Sequence, residues 1–261
     1  MKRIHFLGLM LIAGLTTFAI SPSAAAAADK APLCFELRTY HAAEGKLDAL
    51  NARFRDHTTA LFARHGMTNV GYWMPLDNPQ RLLIYLLSYP DLTARENSWK
   101  VFQADPEWVA AKAASEVAGK LVEKVDSRFL TLTDFSPEMK VDEAGAPHTF
   151  EMRTYTTAPG NLPRLLDRFR QHTVSLFSKH GMKHFGYFTP AAGQPGAATT
   201  LIYFLYHASP EAHKSSFAAF GTDPAWNKVK TESETAAGGS LTIPDGVKSE
   251  LLKATDFSPV K

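Results

Sequence analysis

The sequence predicts an α+β protein made of two tandem ferredoxin-like units. Two observations carry that prediction: an internal duplication, and the order in which apolar spacing changes within each copy. FELRTY at Phe35–Tyr40 returns as FEMRTY at Phe150–Tyr155. The same offset pairs Arg53-Phe54-Arg55 with Arg168-Phe169-Arg170 and His57-Thr58 with His172-Thr173. It also pairs His65-Gly66-Met67 with His180-Gly181-Met182, and Gly71-Tyr72 with Gly186-Tyr187. After a loop that is longer in the second copy, WKVFQADPEW (Trp99–Trp108) pairs with FAAFGTDPAW (Phe217–Trp226), and TDFSP closes each copy at Thr133–Pro137 and Thr255–Pro259. The units span residues 34–137 and 148–261, and the Gly, Pro and charges of Glu138–Pro147 mark a linker.

Within the first copy Cys34–Tyr40 alternates as a strand does. Leu47, Leu50, Phe54, His57, Leu61 and His65 then recur at spacings of three and four, which places them on one face of a helix. Gly66 supplies the left-handed position that ends a helix, and the His65 imidazole in the last turn suits the negative end of the helix dipole. Thr68–Met74 and Leu82–Tyr89, parted by the turn-rich PLDNPQ, read as an antiparallel hairpin. Asp105 before Pro106 is an N-cap with proline at the first helical position, and Asp223-Pro224 repeats it. Trp99, Trp108 and Trp226 are expected to fill core behind these second helices. A last strand near Asp126–Thr133 completes β-α-β-β-α-β, the ferredoxin-like order.

Ahead of the first unit, Lys2 and Arg3, an apolar run from Ile4 to Ile20 and the segment SPSAAAAADK have the three-part grammar of a secretory signal. Residues 1–28 are expected to be removed at one of the overlapping small-residue sites at Ala24, Ala26 and Ala28, leaving an exported chain, periplasmic or secreted. The apolar run is short of the ~20 residues a membrane span prefers, and no later segment is long enough, so no span is expected in the mature chain. Cys34 follows Pro32-Leu33 well downstream of that run, which does not suit lipidation, and as the only cysteine it permits no internal disulfide. Losing Lys2 and Arg3 and no acid brings 28 basic and 26 acidic side chains to formal neutrality. A neutral chain without a basic run has no electrostatic footprint for nucleic acid or anionic lipid. With 45% hydrophobic composition, stability has to come from a core.

The ELRTY strand, the helix ending in His-Gly-Met, the Gly-Tyr-Trp/Phe start of the hairpin and the D-P-x-W helix start resemble the NIPSNAP family, once per half and over nearly all of the expected mature chain. The resemblance implies the dimeric α/β-barrel superfamily, in which two ferredoxin-like sheets pack face to face with their helices outside. Two fused copies then imply an intramolecular dimeric α/β barrel, packed sheet to sheet. The export signal and the second copy depart from the family's pattern, so the roles of organellar relatives are not carried over.

Alternation along the first strand sorts Phe35, Leu37 and Thr39 to one face and Glu36, Arg38 and Tyr40 to the other, and the second copy repeats this with Glu151, Arg153 and Tyr155. If the apolar set lies under the helices, the charged set points between the sheets. There the two sets would meet near the pseudo-twofold axis as a structural Glu–Arg network, or else as an anion-binding or acid/base cluster. His57 and His172 are the second pair of candidates. Each sits in an apolar helix stripe and is expected to face the sheet, as a core group or beside a helix-to-sheet pocket of the kind in which the superfamily binds substrates or haem. His65 and His180 are explained as helix ends. No metal site is expected: His57 and His65 lie about 12 Å apart along the helix, and a glycine separates His180 from His184. Spaced cysteine pairs, a phosphate loop and a nucleophile elbow are all missing from the sequence.

The expected function is binding of a small apolar molecule or a protein partner without established catalysis, and no cofactor is expected. The alternative is an oxygen-using enzyme of the barrel superfamily, a cofactor-independent monooxygenase or a haem protein. A third reading is a structural homo-oligomer joined through exposed sheet edges.

Overall fold

In each half a strand leads into a broken helix, a hairpin, a second pair of helices and a closing strand. The first half runs β1 (Cys34–Ala42), α1 (Leu47–Arg53), a π-helical turn (Phe54–Thr58), α2 (Thr59–Arg64), β2 (Thr68–Pro75), β3 (Leu82–Tyr89), α3 (Leu92–Ala104), α4 (Pro106–Ser115) and β4 (Val122–Leu132). The second repeats it with β5 (Thr149–Thr157), α5 (Leu162–Arg168), a π-helical turn (Phe169–Thr173), α6 (Val174–Lys179), β6 (Lys183–Pro190), β7 (Thr200–His207), α7 (Pro210–Thr222), α8 (Pro224–Ala236) and β8 (Thr242–Ala254). This computed structural model describes Met1, residues 34–140 and residues 147–261. The expected signal peptide beyond Met1 and positions 141–146 of the expected linker lie outside the described residues.

The helix boundaries follow from local chemistry. Asp105 and Asp223 cap α4 and α8 by accepting from the amides of Glu107 and Ala225, each ahead of a first-turn proline. Gly66 and Gly181 take φ near +79° directly after α2 and α6, the left-handed turn that a side chain resists.

The eight strands close into one antiparallel barrel in the order β1-β3-β2-β8-β5-β7-β6-β4, so that each half contributes four neighbouring strands in the same internal order. Two short cross-half ladders close the ring. Trp73–Pro75 of β2 pairs with Leu252–Ala254 of β8, and Leu130–Leu132 of β4 pairs with Phe188–Pro190 of β6. The intramolecular α/β barrel is thus present, with its two sheets joined at both edges as well as facing each other. Its interior is one apolar cluster drawn from both halves, including Phe35, Trp73, Ile84 and Leu86 with Phe150, Phe185, Phe188 and Phe204. Two further clusters lie between the sheet and the helices, one per half.

Gly71 and Gly186, the glycines of the repeated Gly-Tyr-Trp/Phe motif, are required by this interior. A side chain at Gly71 would meet the Trp73 ring at 2.2 Å, and one at Gly186 would meet the Phe188 ring at 2.9 Å. The glycine lets the aromatic ring two residues on lie flat over the strand, where Trp73 stacks against Phe204 at 5.2 Å.

Alternation on β1 is as expected but its direction is reversed. Phe35 and Leu37 pack into the barrel interior, while Tyr40 packs with the helix-side cluster and Glu36 bonds to side chains of α3. The charged set therefore faces the helices and not the space between the sheets. The reason is the supply of partners. The interior is filled by the apolar faces of both sheets, whereas the helix layer offers guanidinium, indole and hydroxyl donors to a buried carboxylate.

Candidate functional site

β1 lies between β3 and β4, and its register sets Arg38 beside Tyr85 on one side and Ser127 on the other. Glu36 is completely buried there. Its Oε1 accepts from Arg38 Nη1 at 2.5 Å, Arg95 Nη2 at 2.8 Å and Ser127 Oγ at 2.7 Å. Its Oε2 accepts from Arg95 Nε at 3.0 Å and from Tyr89 and Trp99, each at 3.2 Å. Burial pushes this carboxyl up, but the Arg95 bonds, the Arg38 charge and Ser127 outweigh it and hold it at about 2. Arg38 in turn donates from Nε to Tyr85 and lays its guanidinium over the Trp99 ring at 4.4 Å.

The second half builds the same place differently. Glu151 is also fully buried and accepts from Arg153 Nη1 at 2.6 Å and from Ser249. The positions of Tyr89, Arg95 and Trp99 are taken in the second copy by His207, His213 and Phe217. His207 Nε2 lies 3.3 Å from Oε2, and His213 Nε2 lies 3.2 Å from Oε1. Burial again raises the carboxyl, and His207, Arg153 and Ser249 again win, leaving it at about 2. Glu36 and Glu151 thus head two separate networks, so the single network expected at the pseudo-twofold axis does not form.

His57 and His172 do not face the sheet. His57 is partly exposed and His172 is exposed, and the residues buried in their stead are Thr58 and Thr173. The cause is the π-helical turn, which adds one residue to the helix and shifts every later position by one. Thr58 and Thr173 donate to the carbonyls of Arg53 and Arg168, each at 3.1 Å. His172 lines only a shallow groove of about 250 Å³ with residues of α5 and α8 such as Arg164, Asp167 and Val229. His65 and His180 do more than end their helices. Each binds the capping aspartate of the next helix pair, His65 to Asp105 at 2.6 Å and His180 to Asp223 at 2.7 Å.

Of the candidates on β1, Arg38 and Tyr40 line a cavity of about 820 Å³ between the sheet and the helices of the first half. Phe62, Trp99, Phe102 and Trp108 make its apolar wall, and Arg53, Lys112, Lys120 and Lys124 outnumber Glu116 and Glu123 among its charged groups. Arg53 is paired with Glu116 and Lys124 with Asp126, each at 2.9 Å, so Lys112 and Lys120 against Glu123 leave the balance positive. The corresponding cavity of the second half, lined by Tyr155, Arg168 and Trp226, is only about 220 Å³. Arg95, Tyr89, Ser127, His207 and His213 were not legible as site residues in one copy read alone. The signal that marks the two histidines is the comparison between copies, where a tyrosine and an arginine have each been exchanged for histidine.

The sequence profile described as NIPSNAP matches residues 35–137 and again residues 150–259. No curated protein matches the sequence. Among solved structures, a presumptive monooxygenase of Fusobacterium nucleatum subsp. nucleatum is similar over 86% of this chain and 93% of its own, with 11% identity and a TM-score of 0.57. A presumptive monooxygenase of Lactobacillus acidophilus is similar over 88% and 99%, with 10% identity and a TM-score of 0.55. A NIPSNAP family protein of Agrobacterium tumefaciens shares 27% identity over 40% of this chain and 97% of its own, with a TM-score of 0.37.

Proposed function

This chain belongs to the NIPSNAP family, with one family unit in each half, and from the cavity of its first half we propose that it binds a small apolar molecule carrying an anionic group. The carrying observation is the pairing of an aromatic wall with a positive field in a space of about 820 Å³, within the ~300–1,000 Å³ of small-molecule sites. Trp99, Phe102 and Trp108 offer the apolar surface. Arg38, fixed by Glu36 and Tyr85, offers a guanidinium whose position is set before the ligand arrives. The smaller cavity of the second half, about 220 Å³, falls below that range, which favours the first half as the binding site. The grammar of residues 1–28 supports export of this binding protein to a periplasmic or extracellular space. No cofactor is proposed for the cavity.

The second reading, an oxygen-using enzyme, rests on the fold shared with the two presumptive monooxygenases, an analogy of fold and not of site. Anilinonaphthalene sulfonate, an apolar aromatic anion, tests the binding reading. Its fluorescence should rise saturably at one site per chain. Val109→Trp, which places an indole in the cavity from the exposed side of α4, should weaken it by at least roughly tenfold. Dye binding that is non-saturable, or indifferent to Val109→Trp in a folded variant, overturns the assignment to this cavity. Uptake of oxygen with a bound phenolic compound would favour the enzyme instead.

A further inference from the structure

We propose that Glu151, His207 and His213 form a binding site for one divalent transition-metal ion in the second half, independent of the cavity of the first. One ligand atom from each of the three lies within 4.8 Å of the other two. The carboxylate stands 3.3 Å from His207 Nε2 and 3.2 Å from His213 Nε2. With metal bonds of 2.0–2.2 Å, the ligand atoms of a tetrahedral zinc site stand about 3.3–3.5 Å apart. Each imidazole therefore stands at about that spacing from one oxygen of the carboxylate, His207 from Oε2 and His213 from Oε1.

The geometry is poor as plain hydrogen bonding. His213 Nε2 is buried and finds no hydrogen-bond partner, although a carboxylate oxygen is 3.2 Å away, because it does not point along a bonding direction. A metal ion bound at His213 Nε2 would satisfy it. The remaining contacts suit a ligand carboxylate. Ser249 and Arg153 hold Oε1, while Oε2 meets only His207 among the described contacts. His207 and Glu151 are sealed from solvent, but the His213 side chain is 20% exposed, so a fourth position can be filled by water from that side. Three protein ligands, two of them imidazoles and one a carboxylate, with an open position match a catalytic type of zinc site.

The duplication supplies an independent argument. In the first half the guanidinium of Arg95 donates twice to Glu36 and brings a full positive charge to it. In the second half that arginine is His213 and the neighbouring Tyr89 is His207, so one permanent charge opposite the buried carboxylate is gone and two metal-ligating side chains stand in its vicinity. A divalent cation restores the charge that the exchange removed.

The test uses the mature chain without a polyhistidine tag, stripped with a chelator and titrated with zinc against a chromophoric competitor. One equivalent per chain is expected, together with a rise in melting temperature, and Co(II) in its place should give the intense visible bands of a four-coordinate ion. His213→Arg rebuilds the arrangement that the first half already folds with. It should remain folded and weaken uptake by more than the ~10–100-fold that follows loss of an outer-shell partner. No stoichiometric uptake by the wild-type chain overturns the proposal. So does uptake that His213→Arg leaves unchanged, since exposed histidines elsewhere would then be the ligands.

Discussion

Glu36 carries a buried negative charge against two guanidiniums, and its ionised form is worth more to the folded chain than to the unfolded one. A carboxyl that titrates at about 2 when folded, against about 4.3 in an unfolded chain, contributes stability that is fully present above the unfolded value and disappears as pH falls through the folded one. The window is therefore pH 5 down to 2, and the contribution is roughly 3 kcal/mol, with Glu151 adding a similar amount. Urea unfolding at steps across that window should show the loss. Glu36→Gln should be less stable at pH 7, because its donors lose their charged acceptor, yet lose roughly 3 kcal/mol less on acidification. An acid slope equal to that of the wild type would remove Glu36 from this role. At this scale the sequence shows through its alternation that Glu36, Arg38 and Tyr40 share a face. It could not show which face, because the partner that decides the matter, Arg95, lies on another element 59 residues downstream. The same limit hid His207 and His213, whose meaning depends on Glu151 standing opposite them.

The element that most changes the reading of the sequence is the first helix of each half. A regular helix through Leu50, Phe54, His57 and Leu61 fits the apolar pattern, and the helix stop was legible from Gly66. The phase was not, because the π-helical turn at Phe54–Thr58 inserts one residue and puts Thr58 where a regular helix would put His57, with Phe62 joining Leu61 in the core. An inserted residue can be taken out again. Deleting His57 leaves Leu50, Phe54, Thr58 and Phe62 at spacings of four, three and four, the inward stripe of an uninterrupted α-helix. The deletion variant should therefore fold, with stability within about 2 kcal/mol of the wild type and slower amide exchange between Phe54 and Thr59. Replacement of the π-helical turn by regular bonding would be read directly from that exchange. A deletion variant that cannot fold would mean that the turn is required by the packing and is not an insertion in a helix.

At the scale of the whole molecule the duplication made the architecture legible, since two equal ferredoxin-like units each bring one apolar sheet face that needs a partner. What the repeat did not reveal is how the ring closes. The pairings of Trp73–Pro75 with Leu252–Ala254 and of Leu130–Leu132 with Phe188–Pro190 use the ends of the outer strands of each unit, so these stretches of sheet edge are taken up within the chain. Separating the halves restores both the edges and the apolar face. A chain of residues 34–140 would expose Phe35, Leu37, Trp73, Ile84, Leu86 and Leu130. At ~1.5–3 kcal/mol for each large side chain, burying them again offers on the order of 10 kcal/mol, against the ~8 kcal/mol that corresponds to a micromolar complex. Because β4 and β8 are copies, β2 of one fragment can take β4 of a second where it takes β8 in the full chain. The isolated half should then sediment as a symmetric dimer at tens of micromolar, with near-native circular dichroism. A folded fragment that sediments as a monomer at that concentration would mean that the interior cluster is not what holds the two units together.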